Sequence, residues 1–348
     1  MDITARGEMG KREISPLFHE LEELLVCPES CLPLRVENNE FLVEGSGRRY
    51  AVTDGVPCLL SPNTESFDDT DVTGLVRQFY ENNPFPNYDE LDSRESLERK
   101  ARKSMFSAML DAEIPKGAIV LEAGCGTGQM TNFLGMSWKR RILGADICLN
   151  SLRLAEAFRQ RCSIQNAAFL QMNLFRPPFR DESFDVIIAN GVLHHTSNPE
   201  GGLAALSKKL KPGGIVCIGL YNTYARLPAV WRRWLFNQFG GSLYFLDRFL
   251  RSRRSNAARF RAWYMDQYRH PHESRHSMDQ VLGWFSRNRI EFLSGMPPLD
   301  GSALTRKDKF FERHSAGSTV TRKAAQIDML LSGGFESGLF IMTGRKCK

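Results

Sequence analysis

At 348 residues, 42% hydrophobic and 25% charged, the chain has the composition of an ordinary globular protein: one full-sized core with appended pieces. No apolar run nears the roughly 20 residues needed to cross a bilayer, and the opening MDITARGEMGKREISP lacks a secretory signal's apolar centre, so a cytoplasmic location is expected. The net charge is +6, yet Tyr221 to Ile290 alone carries 13 arginines, no lysine and four acidic residues, a local +9.

In chain order, residues 1–62 read as a small β-rich module. Leu24-Leu25-Val26-Cys27-Pro28 leads to Cys31 and then to short alternating runs, and Asp54-Gly55 is a turn signal between two strand-like segments. Residues 63–116 are a linker and a helical cap. The linker is the polar stretch 63–71, and residues 73–113 are helical except at Asn82-Asn83-Pro84-Phe85-Pro86-Asn87-Tyr88, where two prolines stop any helix. From residue 117 the texture alternates between strand and helix. AIVLEAG, RRILGADI, AAFLQMN, FDVIIANG and GIVCIGL are apolar runs mostly separated by helix-length segments, which predicts a parallel sheet covered by helices. An Arg- and aromatic-rich helical insertion at 223–288 interrupts the pattern, before the strand-like RIEFLSG and GLFIMTGRK. Several of the eight cysteines fall inside strand-like runs, as Cys217 does, and read as reduced thiols rather than disulfides.

The chemistry gathers at the turn Glu122-Ala123-Gly124-Cys125-Gly126-Thr127-Gly128. Glycines there let the backbone approach a ligand, and the helix beyond offers free N–H groups to a polar or anionic group. Alone, the loop is a weak signal, since dinucleotide-binding proteins use a similar one and a plain tight turn also fits. Asp146, at the end of the next strand, suits both ribose hydroxyls of an adenosine ligand, and Asn173 suits the adenine edge.

Taken in order, Glu122 to Gly128, Asp146, Pro178 to Asp185, Val192-Leu193-His194-His195 and Leu210-Lys211-Pro212-Gly213-Gly214 resemble the class I S-adenosylmethionine-dependent methyltransferases, in the branch that includes ubiquinone and menaquinone biosynthesis enzymes. The resemblance spans residues 118–222 and the C-terminal end. It implies an α/β, Rossmann-like seven-stranded sheet over 117–348 with GLFIMTGRK as its last, antiparallel strand, and S-adenosyl-L-methionine as cofactor. Glu122, Gly124, Gly126 and Gly128 would line the methionine half, Asp146 the ribose and Ile147 the adenine. Cys125, Thr127, Asn173, Leu174 and Asn190 complete the cofactor-binding set, with Asn173 standing where an aspartate is commoner. Leu25 to Leu60 resembles a zinc-ribbon-like module. Only Cys27 and Cys31 are well placed as ligands, so a metal-free remnant is expected.

Methyl transfer is an in-line displacement in which the enzyme positions the acceptor and, where needed, removes a proton. His195 and Tyr221, which follow the fourth and fifth strands, are candidates. So are His270, His272 and Glu273 in the polar cluster Met265 to His276, which also reads as a loop with Arg269 as anion clamp, as a three-histidine metal site with His276, or as a solvated helix cap. Tyr80, Tyr88 and Asn222 are candidate acceptor contacts. The basic insertion fits a lid over a bulky, small-molecule or lipid-like acceptor met at a membrane surface, a grip on RNA, or a solvated face. The expected activity is methyl transfer to oxygen, carbon or nitrogen of a small or lipid-like molecule. A tRNA or rRNA methyltransferase and a non-catalytic cofactor-binding scaffold are the alternatives, and the oligomeric state is open.

Overall fold

The computed structural model describes residues 13–61, 72–86, 88, 92–239, 245–252, 256–305, 308–332 and 338–348. The linker expected at 63–71 and Asn87 lie outside them.

The first unit holds the short helix α1 (Leu17–Glu20) and strands β1 (Leu34–Glu37), β2 (Glu40–Val43), β3 (Arg49–Tyr50), β4 (Val52–Thr53) and β5 (Val56–Pro57). Asp54 and Gly55 both take positive φ, 54° and 85°, so the sequence's turn signal becomes a tight hairpin between β4 and β5. Helices α2 (Val72–Asn82), α3 (Arg94–Lys103) and α4 (Met105–Glu113) follow. The sequence reads 94–113 as unbroken helix. The structure splits it at Ser104, whose extended backbone and side chain cap α4 by accepting from Ser107 N.

The core alternates β6 (Ile119–Ala123), α5 (Gln129–Gly135), β7 (Arg141–Asp146), α6 (Leu149–Arg161), β8 (Ala167–Gln171), β9 (Phe184–Asn190), α7 (Pro199–Lys209) and β10 (Leu210–Tyr221). Then come α8 (Leu227–Phe239), α9 (Arg248–Ser252), α10 (Ala257–Tyr268), α11 (Met278–Arg287), β11 (Ile290–Met296), α12 (Thr319–Leu331) and β12 (Leu339–Lys346). Seven strands form one sheet in the order β11-β12-β10-β9-β6-β7-β8. β6 to β10 run parallel, and β12 lies antiparallel between β10 and β11. This is the Rossmann-like α/β sheet the sequence implied. Its inner strands are buried on both faces, which is why they read as unbroken apolar runs. Chain order reverses between β6 and β9, which opens a crevice at the strands' C-terminal ends.

Two placements refine the sequence reading. Helix α11 contributes Met278, Val281, Trp284 and Phe285 to the sheet's core and packs on β11, so within the stretch expected as an insertion α11 belongs to the sheet while α8 and α10 pack on each other. The N-terminal unit is bonded to the β8 side of the sheet. Leu59 N donates to Gln171 O at 2.9 Å, Val26 N to Pro178 O at 3.0 Å and Arg180 N to Leu24 O at 2.8 Å. Phe18, Leu25 and Phe41 share one apolar core with Phe179 and Phe184, so the unit covers an edge that would otherwise invite pairing. The Cys27 thiol lies 3.2 Å from the Tyr50 hydroxyl, and Cys31 is exposed. Among the described residues no group of three or more His, Cys, Asp or Glu is arranged to hold a metal.

Phe179 is fully buried and meets Phe184 edge-on, with ring centroids 4.8 Å apart. Phe179→Ala should therefore cost about 3–5 kcal/mol of stability in urea denaturation. A loss near zero would mean that the unit does not pack on the sheet in solution.

Candidate functional site

A cavity of about 890 Å³ occupies the crevice. Its floor is the turn after β6. Gly124, Gly126 and Gly128 take φ of 74°, 52° and 70°, and a Cβ on Gly126 would come within 2.3 Å of the Phe85 carbonyl oxygen. Glycine is required there because the segment after α2 lies directly on the loop. The Thr127 hydroxyl donates to the Pro86 carbonyl and seals that contact.

Asp146 pins the turn from the neighbouring strand. Its carboxylate accepts from Gly126 N at 2.8 Å and Cys148 N at 2.9 Å, and it lines the cavity. Burial raises its pKa, partly offset by those backbone donors. Glu122, at the end of β6, accepts from the Thr131 hydroxyl, and burial lifts its pKa to about 7. Gly124, Cys125, Gly126, Asp146, Ile147, Asn173, Leu174 and Asn190 all line the cavity with Glu122. Asn190 Oδ1 is buried without a hydrogen-bond partner, and Asn173 Oδ1 accepts from Phe175 N at 2.9 Å. Thr127 and Gly128 instead shape the turn. An adenosyl ligand therefore meets a carboxylate, a side-chain amide and a cradle that a Cβ would fill. The residues fit it.

The other end is built by aromatic and imidazole rings. His195 and Tyr221 line the cavity, and the His270 ring stacks on His195 at 3.7 Å between centroids. His195 Nδ1 lies 2.9 Å from the His272 carbonyl oxygen. A carbonyl only accepts, so Nδ1 carries the proton and Nε2 keeps its lone pair. Burial lowers the pKa of His195 and takes His270 down to about 2, so both rings are neutral. Tyr80, on α2, donates to Asp266 Oδ1 at 2.8 Å, and Gln267 Nε2 bridges Asp266 and the Tyr221 hydroxyl at 2.8 and 2.9 Å.

The remaining candidates are placed elsewhere. Glu273 is clamped by Arg226, at 3.0 Å through Nε and 2.7 Å through Nη2, and is not a cavity residue. Burial disfavours its charge, but the Arg226 hydrogen bonds and charge outweigh that and hold its pKa below the usual carboxylate range. His272 contributes its backbone carbonyl. Tyr88 stacks on Phe158 at 4.4 Å, Asn222 is buried and donates to Gln326 Oε1 at 2.8 Å, and Arg269 is exposed over the Tyr264 ring. His276 bonds Ser274 and Gln280. Sequence reasoning missed three contributors. Glu81 accepts from Leu149 N and Asn150 N at 2.8 and 3.1 Å, capping α6 from α2, while Asp266 and Trp263 line the cavity from α10. Asp266 stood inside the polar cluster already singled out, whereas Glu81 carries no local signal at all.

Residues 121–218 match the family described as "Methyltransferase domain". An uncharacterized protein of Synechococcus is 38% identical over 109 residues, which cover 31% of this chain and 26% of its own. The tRNA (carboxymethyluridine(34)-5-O)-methyltransferase of Arabidopsis thaliana is 29% identical over 137 residues, 38% of this chain and 31% of its own. The mitochondrial ubiquinone biosynthesis O-methyltransferase of Dictyostelium discoideum is 27% identical over 169 residues, 46% of this chain and 51% of its own. The chain thus spans between about a quarter and a half of these relatives. Residues 121–218 are similar to a methyltransferase domain, and they lie on the seven-stranded sheet that carries the site.

The Arg226–Glu273 pair is almost wholly buried, with side chains 1% and 7% exposed. Glu273→Ala should destabilise the fold by about 3–5 kcal/mol in urea, because it strands a buried guanidinium. A variant of wild-type stability with reduced turnover would instead return Glu273 to the list of bases.

Proposed function

We propose that this chain transfers the methyl group of S-adenosylmethionine to a small or lipid-like acceptor, with His195 as the base. The observation that carries this reading is the Tyr80–Asp266 hydrogen bond, which joins α2 to α10 beside the imidazole pair. An acceptor enclosed by two such elements has to be small enough to sit under them. Bound cofactor supplies an activated methyl on a thioether leaving group. Asp146 holds the ribose, the turn at 124–128 receives the methionine half, and Ile147 packs on the adenine. His195 Nε2 takes the acceptor's proton, while the His272 carbonyl and the His270 ring fix the imidazole's tautomer and angle. Glu273 and Arg226 are positioning residues. Arg226 stacks its guanidinium 3.7 Å from the Tyr221 ring centroid and bonds Gln267.

The quinone-biosynthesis likeness supports this acceptor class, since that relative shares the largest part of the chain among those compared. The basic insertion supports RNA less than its composition suggests. Arg226, Arg232, Arg233 and Arg259 are engaged with Glu273, Tyr268, His270 and Asp92 inside the fold. Filter binding to total RNA at two salt concentrations should give no salt-sensitive retention. Strong retention at low salt that collapses at high salt would favour the RNA reading.

His195→Gln should cut kcat by about 10²–10⁴-fold while leaving calorimetric affinity for the demethylated cofactor unchanged. Because burial lowers the pKa of His195, the base is neutral across the neutral range, and the acid limb of kcat/KM should fall below pH 6.5. An unchanged kcat in the variant sinks the assignment of the base.

A further inference from the structure

Helix α8 buries Ala229 and Phe236 on its inner face, yet it carries a second apolar stripe outward. Leu227, Val230, Trp231 and Trp234 recur at spacings of three and four and share one face, and all are exposed, Trp231 by 66% and Trp234 by 52%. The opposite side carries arginine. Arg232 Nε donates to the Tyr268 hydroxyl and Arg233 Nε to the Tyr268 carbonyl, each at 3.0 Å. An ordinary surface helix keeps its apolar stripe on the inner side alone. Phe239, Phe245 and Leu246 are exposed as well, close by in sequence, and so is Arg251. Single exposed apolar residues are unremarkable, but this run of seven within 20 positions calls for a partner.

We propose that this face of α8 docks on an anionic lipid bilayer, with the helix lying in the headgroup plane and its two tryptophans in the interfacial layer. Tryptophan and leucine on one face of a helix of 13 residues suit that zone, and the helix is far too short to span. The charge agrees. Arg226, Arg232, Arg233 and Arg259 are engaged inside the fold, but Arg251, Arg261, Arg269 and Arg275 in the same insertion are exposed, and a guanidinium complements lipid phosphates. A second copy of the chain is a poorer occupant, because facing insertions would bring +9 against +9. RNA suits the charge but not Leu227, Val230 and Leu246, which offer no ring for a base to stack on. The proposal is independent of the acceptor.

The test is co-sedimentation of the full chain with vesicles of phosphatidylcholine alone or with about a third phosphatidylglycerol. The chain should pellet with the anionic vesicles, release as salt rises, and shift its tryptophan emission to the blue. The double variant Trp231→Ser/Trp234→Ser should weaken vesicle binding about tenfold or more. Trp138→Ser, which removes an exposed tryptophan between α5 and β7, should leave it unchanged. Affinity for the demethylated cofactor, measured in parallel, should be the same in all three proteins, so that a misfolded variant or a failed cofactor site is told apart from lost docking. Absence of pelleting with anionic vesicles overturns the proposal. So does a folded double variant that pellets like wild type, or binding to total RNA without binding to vesicles.

Discussion

Everything at the site depends on one carboxylate tying two loops together. Asp146 ends β7 and accepts from Gly126 in the turn after β6 and from Cys148 at the start of α6. Adjacent parallel strands are thereby joined at the end where the order of the sheet reverses, so the crevice has a fixed floor before any ligand arrives. The glycines follow from this. With Gly126 held by Asp146 below and the Phe85 carbonyl above, there is no room for a side chain between them. Glu81 extends the same logic, because it caps α6 from α2 and docks the cap onto the strand–turn–helix unit that Asp146 organises.

The acceptor end is organised differently, by buried polar groups that satisfy one another. Arg226 answers Glu273 and Gln267, Gln267 answers Asp266 and Tyr221, and Asp266 answers Tyr80. Such a network is stabilising only while complete, since each unpaired member in a low dielectric costs more than its bond returned. It therefore fixes ring positions to a degree that apolar packing alone would not. It also links α2, β10, α10 and the 270–276 stretch, four pieces far apart in the chain.

How legible this was in the sequence follows from range. The strands were readable because burial on both faces leaves unbroken apolar runs, and the turn 122–128 and Asp146 were readable because strand, glycines and acid are local and ordered. The break at Ser104 was missed because a serine cap inside a helix-like run is weak against composition. Glu273 was read as a candidate base from its place among histidines, yet its role is set by Arg226, 47 residues upstream. Tyr88 was read as an acceptor contact, but its ring finds Phe158, a contact with no sequence signature. The excess of arginine was correctly seen and incompletely understood, since charge counts cannot tell an arginine facing water from one folded onto Tyr268.

That last distinction bears on catalysis. His194, His195 and His270 are held neutral by burial, and the charge of Arg226 is matched by Glu273, so the acceptor end is nearly free of unbalanced cations. Asp266 lines the cavity and, among the described residues, accepts from the neutral donors Tyr80 and Gln267. A transfer that begins from a sulfonium and ends at a neutral thioether disperses positive charge as it proceeds. The two cations that line the cavity, Lys100 and Arg259, both pair with Asp92, so the carboxylates of Asp146 and Asp266 would face a charged sulfonium without an opposing free cation among the described residues. The inward arginines of α8 place their donors on Tyr268 and the His270 carbonyl, beside the His195 ring.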